Sequence, residues 1–65
     1  MRIILKDQWC RDVGQPELIG KALLVKWVDE FPGKGEGFTK FYEVHVPGRL
    51  GTWTVALLRV AREIP

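Results

Sequence analysis

The chain has 65 residues, of which 46% are hydrophobic and 28% charged, and its formal net charge is +2 at pH 7. So short a chain has material for one domain, residues 1–65, which excludes a second domain, and its apolar content excludes compositional disorder. Its single cysteine, Cys10, excludes both an internal disulfide and a zinc site built from cysteines of this chain.

The first residues give no targeting signal. Three consecutive apolar residues follow Arg2, which is too short for the hydrophobic segment of a signal peptide. No apolar run approaches the length needed to span a membrane, and a lone cysteine is typical of a reducing compartment. We therefore expect a soluble, cytoplasmic protein.

The first third of the chain predicts one strand and one long connection. Arg2–Lys6 is short and rich in β-branched residues, as a strand would be. Two glycines and a proline interrupt Asp7–Gly20, which we interpret as a long loop anchored by Trp9 and Leu18. Within it, Pro16–Ile19 fits one helical turn with proline at its first position.

The segment Lys21–Phe31 is the most apolar part of the chain, and it predicts the central strand. Its β-branched and aromatic residues favour a strand over the competing helix. Strict alternation makes both faces apolar, which predicts burial on both sides. One predicted face holds Leu23, Val25 and Trp27, and the other holds Ala22, Leu24 and Val28.

Two glycine-containing turns separate the next strands. Pro32–Gly37 predicts a hairpin after the central strand, and Pro47–Gly51 predicts a second tight turn. Between them Thr39–Val46 alternates cleanly, and Thr52–Val55 is the predicted return strand. The alternation places Tyr42, Val44 and Val46 inward, and Phe41, Glu43 and His45 outward.

The C-terminal segment Val55–Ile64 is compatible with two structures. Apolar residues at helical spacing favour one helix over the whole segment. A helical turn at Leu57–Arg59 followed by a closing strand, Val60–Ile64, fits equally well.

We therefore predict a mainly β fold, either a small barrel or an antiparallel β-meander of four to five strands with a short C-terminal helical turn. The order of elements resembles that of the SH3-like small barrels, with a long first loop, three meandering strands and a turn before the last strand. The alternative is an α+β fold, in which one C-terminal helix covers an antiparallel sheet.

The sequence predicts no catalytic residue, metal or cofactor. Gly33–Gly37 has neither Walker nor dinucleotide-binding spacing and is better explained as a hairpin. His45, the sole histidine, lies beside Glu43 on the predicted outer face without a nucleophile or a second histidine. Cys10 is best explained as a partly buried, unreactive thiol.

Basic and aromatic residues in the second half predict a surface that binds a macromolecule. Residues 32–65 carry five basic and three acidic side chains, whereas residues 1–31 carry five of each. Aromatic residues and arginine anchor protein interfaces, and the same types stack on bases and neutralise phosphate. The predicted partner-binding residues are Lys34, Phe38, Lys40, Phe41, Arg49, Trp53 and Arg59.

Four explanations of this set remain open. We favour a non-enzymatic module that binds a protein partner through both turns, with Phe38, Phe41 and Trp53 as anchors. The alternatives are a nucleic-acid-binding small β-barrel and an oligomeric enzyme with a site at a symmetry axis. The small core is also compatible with a homodimer. A purely structural explanation has Phe41 and Trp53 pairing across neighbouring strands.

Overall fold

The chain folds into a five-stranded antiparallel sheet, which confirms the predicted mainly β fold. The computed structural model describes residues 1–33 and 37–65, with side chains for residues 1–32 and 40–65. The elements are β1 (Arg2–Leu5), α1 (Asp7–Asp12), a first 3₁₀ turn (Pro16–Leu18), β2 (Leu23–Gly33), β3 (Gly37–Val44), β4 (Trp53–Ala56), a second 3₁₀ turn (Leu57–Arg59) and β5 (Val60–Ile64).

The strands lie in the order β4-β3-β2-β1-β5, so that β2 is central and β4 and β5 form the edges. In the described part of the chain the two edge strands do not pair, and the sheet does not close into a barrel. Of the predicted architectures, the open antiparallel meander is therefore the one observed. The extended conformation predicted for residues 21–31 is confirmed, with β2 beginning at Leu23.

The prediction that β2 is buried on both faces is wrong. The pairing register shifts by one residue between Val25 and Trp27, which leaves Lys26 as the extra residue of a bulge. Val25 and Val28 pack against the core, whereas Trp27 is 52% exposed. Since side chains alternate along a strand, one inserted residue exchanges the two faces beyond it.

One side of the sheet carries the core. The alternation predicted for β3 is confirmed, since Tyr42, Val44 and Val46 are buried while His45 is exposed. β1 and β4 add buried residues to the same cluster, and the first 3₁₀ turn adds Leu18, a predicted anchor. The buried cluster comprises Ile3, Leu5, Cys10, Leu18, Leu23, Tyr42, Val44, Val46 and Val55.

Helix α1 replaces the first part of the predicted long loop. It has no side-chain cap at its N-terminus, and Gln8 donates a hydrogen bond of 2.8 Å to Asp12 one turn on. A six-residue helix is not stable by itself, so tertiary packing must hold it, and here Cys10 is buried while Trp9 packs on the core. Within the described residues, no helix has the length and apolar character needed to cross a membrane.

The C-terminal segment forms the turn and closing strand rather than the alternative long helix. β5 pairs with β1 from Arg2↔Ile64 to Leu5↔Val60, and the Lys6 N–H donates 2.8 Å to the Arg59 carbonyl. These bonds pair the backbone N–H and C=O groups of β1 that face away from β2. A helix over residues 55–64 would leave those groups unpaired. The predicted helix covering a sheet face is therefore not formed.

Both predicted turns connect the strands they were expected to connect. Gly33 pairs with Gly37 at the end of the β2–β3 hairpin, whose residues 34–36 lie outside the described part of the chain. The second turn contains Gly48 and Gly51, which have φ angles of +84° and +77°. Only glycine adopts such angles without strain, so these two residues allow the chain to reverse before β4.

Candidate functional site

The five predicted partner-binding residues whose side chains the structure describes do not lie on one surface. Phe41 lies on the solvent side of the sheet. Lys40 and Trp53 lie on the core side, because each is two residues from a buried residue of its own strand, Tyr42 and Val55 respectively. Lys34 lies outside the described residues. Phe38 lies opposite Pro32 in the β2–β3 ladder, but its side chain is outside what the structure describes.

Arg49, Trp53, Trp9 and Arg59 form one cluster, here called the arginine–tryptophan stack. The two indole rings are nearly parallel, with an interplanar angle of 17° and 5.0 Å between their centroids. The Arg49 guanidinium lies over the Trp53 ring and that of Arg59 over the Trp9 ring, each 5.8 Å from the centroid. Each arginine is therefore placed for a cation–π interaction.

Residues from distant parts of the chain build this stack. α1 carries Trp9, and β4 carries Trp53 on the core side because it pairs with inward-facing Val44. Arg59 ends the second 3₁₀ turn, and the Arg49 N–H donates 3.1 Å to the Val46 carbonyl in the turn before β4. The arrangement stabilises contacts among these elements and leaves the arginine side chains exposed.

Lys40 is engaged within the chain. Its ammonium lies 5.1 Å from the centroid of the Tyr42 ring and 3.1 Å from Glu63 Oε1, which also accepts a hydrogen bond from the Tyr42 hydroxyl. Hydrogen bonding to Tyr42 and to Glu63 raises the pKa of Lys40, while the bonds from Tyr42 and Lys40 lower the pKa of Glu63. This network connects β3 to β5, so Lys40 has a structural partner.

The solvent side of β2 and β3 presents three aromatic side chains, Trp27, Phe31 and Phe41, here called the outer aromatic face. Trp27 and Phe31 are 52% and 54% exposed. The Phe31 and Phe41 rings meet edge to face, with centroids 6.1 Å apart. Exposed aromatic residues gathered on one sheet face are typical of an interaction surface.

Two carboxylates lie among these rings. Asp29 pairs with Phe41 and Glu43 with Trp27, so acidic and aromatic residues alternate across the two strands. Trp27 Nε1 donates 3.3 Å to Asp29 Oδ2. Glu43 accepts two hydrogen bonds from β4 and the turn before it. Thr54 Oγ1 donates to one carboxylate oxygen, and Thr52 Oγ1 donates to the other over 3.0 Å.

Sequence reasoning missed Trp27, Phe31 and Asp29 as members of this surface. Strict alternation places Trp27 with Leu23 and Val25, and only the Lys26 bulge turns it to the solvent. The alternate spacing of Trp27, Asp29 and Phe31 was a usable signal, because a charged residue between two aromatic positions indicates a face in contact with water.

Two clefts lie beside the arginine–tryptophan stack, and Arg49 lines both. The smaller, of about 90 Å³, is formed by residues 46–53. The larger, of about 340 Å³, lies between residues 14–21 and the turn at 46–49 and carries Glu17, Lys21 and Arg49. Its mixed charges and lack of a nucleophile give no indication of catalysis.

Chemically reactive groups are sparse among the residues that the structure describes. In the described ranges, no three His, Cys, Asp or Glu side chains are grouped so that they could hold a metal ion. Cys10 is a free, buried thiol, and its burial, followed by the charge of Asp7, raises the pKa of that thiol. A raised pKa disfavours the nucleophilic thiolate.

Comparison of the chain with protein-family models, with curated proteins and with solved structures gave no match. We therefore infer function only from the arrangement of the described side chains.

Proposed function

We propose that the protein is a non-enzymatic binding module that recognises a protein partner through the outer aromatic face. The observation that carries this proposal is the exposure of Trp27 and Phe31 on the same side of the sheet as Phe41. Tryptophan and other aromatic residues supply much of the binding energy of protein interfaces, because they bury a large area with few rotatable bonds.

A purely structural role accounts for part of this face only. The edge-to-face contact of Phe31 with Phe41 stabilises the β2–β3 hairpin by about 0.2–1 kcal/mol, as cross-strand aromatic pairs do. Trp27 takes part in no such aromatic pair among the described residues, and half of its surface is in contact with water. The pairing of Phe41 with Trp53 does not occur, since Phe41 lies opposite Ala56.

The anchors of the proposal therefore differ from those expected from the sequence. Phe41 remains an anchor, whereas Trp27 and Phe31 take the place of Trp53. Arg49 and Arg59 lie with the arginine–tryptophan stack and not at the rim of the outer aromatic face.

Nucleic-acid binding is a weaker candidate. Bases would stack on exposed aromatic rings, but Trp53 has Trp9 stacked on it and Arg49 over it, so little of its ring is free for a base. Arg49 and Arg59 are exposed and remain available to phosphate. This candidate predicts affinity that falls steeply with salt.

An oligomeric enzyme is the remaining candidate, and no group of residues described above supports it. The molar mass in solution, measured by light scattering, tests this candidate first. A strict monomer has no symmetry axis and therefore no such site. A cytoplasmic location is part of the proposal and is supported by the free thiol of Cys10.

The proposal is tested by affinity capture from cells that produce the protein naturally, using nuclease-treated lysate. We expect Trp27→Ala and Phe31→Ala each to abolish the capture of a specific partner. The matched control is Leu50→Ala, because Leu50 is 104% exposed and lies in the turn before β4. Equal capture by the face variants and the wild type would refute the proposal, provided circular dichroism shows that all variants fold.

A further inference from the structure

The aromatic rings of this protein fall into two groups that differ in the charges around them. Tyr42, Trp53 and Trp9 each have a lysine or arginine of the chain over the ring. Across the described side chains, no lysine or arginine lies over Trp27, Phe31 or Phe41. The rings of the outer aromatic face have carboxylates as neighbours instead.

The two carboxylates of this face occupy diagonal positions and are held in place. Asp29 lies opposite Phe41, and Glu43 is two residues along β3 from Phe41; the Cα atoms of such diagonal neighbours are about 7–8 Å apart in an antiparallel pair. Hydrogen bonds from Trp27, Thr52 and Thr54 fix their positions. Both carboxylates therefore add negative charge to the face that carries the exposed rings.

We propose that the outer aromatic face binds a lysine- or arginine-bearing segment of a protein partner, whose cationic group enters between Asp29 and Glu43 and lies against Trp27 and Phe41. This inference rests on the proposed function and specifies its partner. The rings supply cation–π attraction, the carboxylates supply charge-assisted hydrogen bonds, and both favour a positively charged side chain.

The same charges disfavour the other occupants of this face. A phosphate backbone would be repelled by Asp29 and Glu43, so nucleic acid does not suit it. A second copy packed face to face would set one acidic face against another. A cationic segment alone complements both the rings and the acids.

The test uses the whole protein, labelled with ¹⁵N, and short synthetic peptides that alternate serine with arginine, glutamine or glutamate. The indole N–H of Trp27 reports on the outer aromatic face, while those of Trp9 and Trp53 report on the arginine–tryptophan stack. We expect millimolar arginine peptide to shift the Trp27 signal and to leave the other two nearly unchanged. The glutamate peptide should have no effect, and the glutamine peptide should bind at least about fivefold more weakly.

Charge variants locate the contact. Asp29→Asn and Glu43→Gln should each weaken arginine-peptide binding by about two- to fivefold, as expected for exposed charge pairs. Glu30→Gln is the matched control, because Glu30 is the next residue of β2 and its Cα partner in β3 is Lys40, on the other side of the sheet. It should leave binding unchanged.

The possible outcomes separate the two proposals. Equal shifts of Trp27 by the arginine and glutamine peptides would overturn the cationic partner while leaving a protein-binding face intact. Absence of any shift at Trp27, or a shift produced by the glutamate peptide or by raising the protein concentration alone, would also overturn it. The lysate capture by Trp27→Ala tests the face itself independently.

Discussion

Tyr42 on β3 donates a hydrogen bond to Glu63 on β5, although β2 and β1 lie between these strands in the sheet. The bond requires the sheet to curve so that its two halves enclose the core. The Tyr42 ring itself is fully buried. Tyr42 and Glu63 thus connect the two halves of a sheet that does not close through backbone pairing.

We expect Tyr42→Phe to lower the free energy of unfolding by about 1 kcal/mol, because it removes this hydrogen bond and keeps the ring in the core. Denaturant titration followed by tryptophan fluorescence measures the change. The double variant Tyr42→Phe/Glu63→Gln should lose less free energy of unfolding than the sum of the losses in the two single variants. Additive losses would show that the two side chains do not interact.

The same bond predicts a loss of stability in acid. Hydrogen bonds from Tyr42 and Lys40 lower the pKa of Glu63 below its ordinary value of 4.5, so the folded state favours the ionised carboxylate. The ionised Glu63 carboxylate makes its full contribution to the free energy of unfolding above pH 4.5. That contribution is lost as the pH falls through the lowered pKa of the folded state. Urea midpoints should therefore differ between wild type and Glu63→Gln at about pH 6 and converge as the pH falls below the lowered pKa. A constant difference would contradict the assigned pKa shift.

The stacked tryptophans predict a spectroscopic signal. Two nearly parallel indoles 5.0 Å apart couple their electronic transitions and give a paired signal in far-ultraviolet circular dichroism. Trp9→Leu should remove this signal and lower the free energy of unfolding by about 2 kcal/mol, through lost packing and stacking. Trp27→Leu is the control and should retain the signal. If the paired signal disappeared in Trp27→Leu, it could not come from the Trp9–Trp53 stack.

Cys10 should react slowly with thiol reagents in the folded protein. Its side chain is fully buried, and burial raises the pKa of the thiol above its ordinary value of 9.0. Alkylation by iodoacetamide at about pH 8 should be much faster in denaturant, where the thiol is exposed. Equal rates in native and denaturing buffer would contradict the burial of this residue.

Local patterns in the sequence predict much of this fold. The alternation along β3 and the glycine-containing turn before β4 depend on neighbouring residues, and each forms as expected. The sequence left the segment Val55–Ile64 open between a helix and a turn with a closing strand, and pairing with the distant strand β1 accompanies the second structure. Helix α1 was missed because six residues without a side-chain cap carry little helical signal. Its stability depends on contacts of Trp9 and Cys10 with distant residues.

The candidate site was harder to predict, because one inserted residue determines it. Lys26 looks like an ordinary strand residue, yet its bulge turns Trp27 from the core to the solvent. The partner of Trp53 is Trp9 on α1, which no local pattern connects to β4. Sequence therefore identifies the aromatic residues but not which side of the sheet each one faces.

Site-specific photocrosslinking in cells that produce the protein tests the proposed binding face most directly. A photoreactive phenylalanine derivative would replace Trp27, Phe31 or, as the control, Leu50. We predict that the probes at positions 27 and 31 crosslink to the same protein partner and that the probe at position 50 does not. A partner captured from position 50, and from neither 27 nor 31, would contradict the proposed binding face.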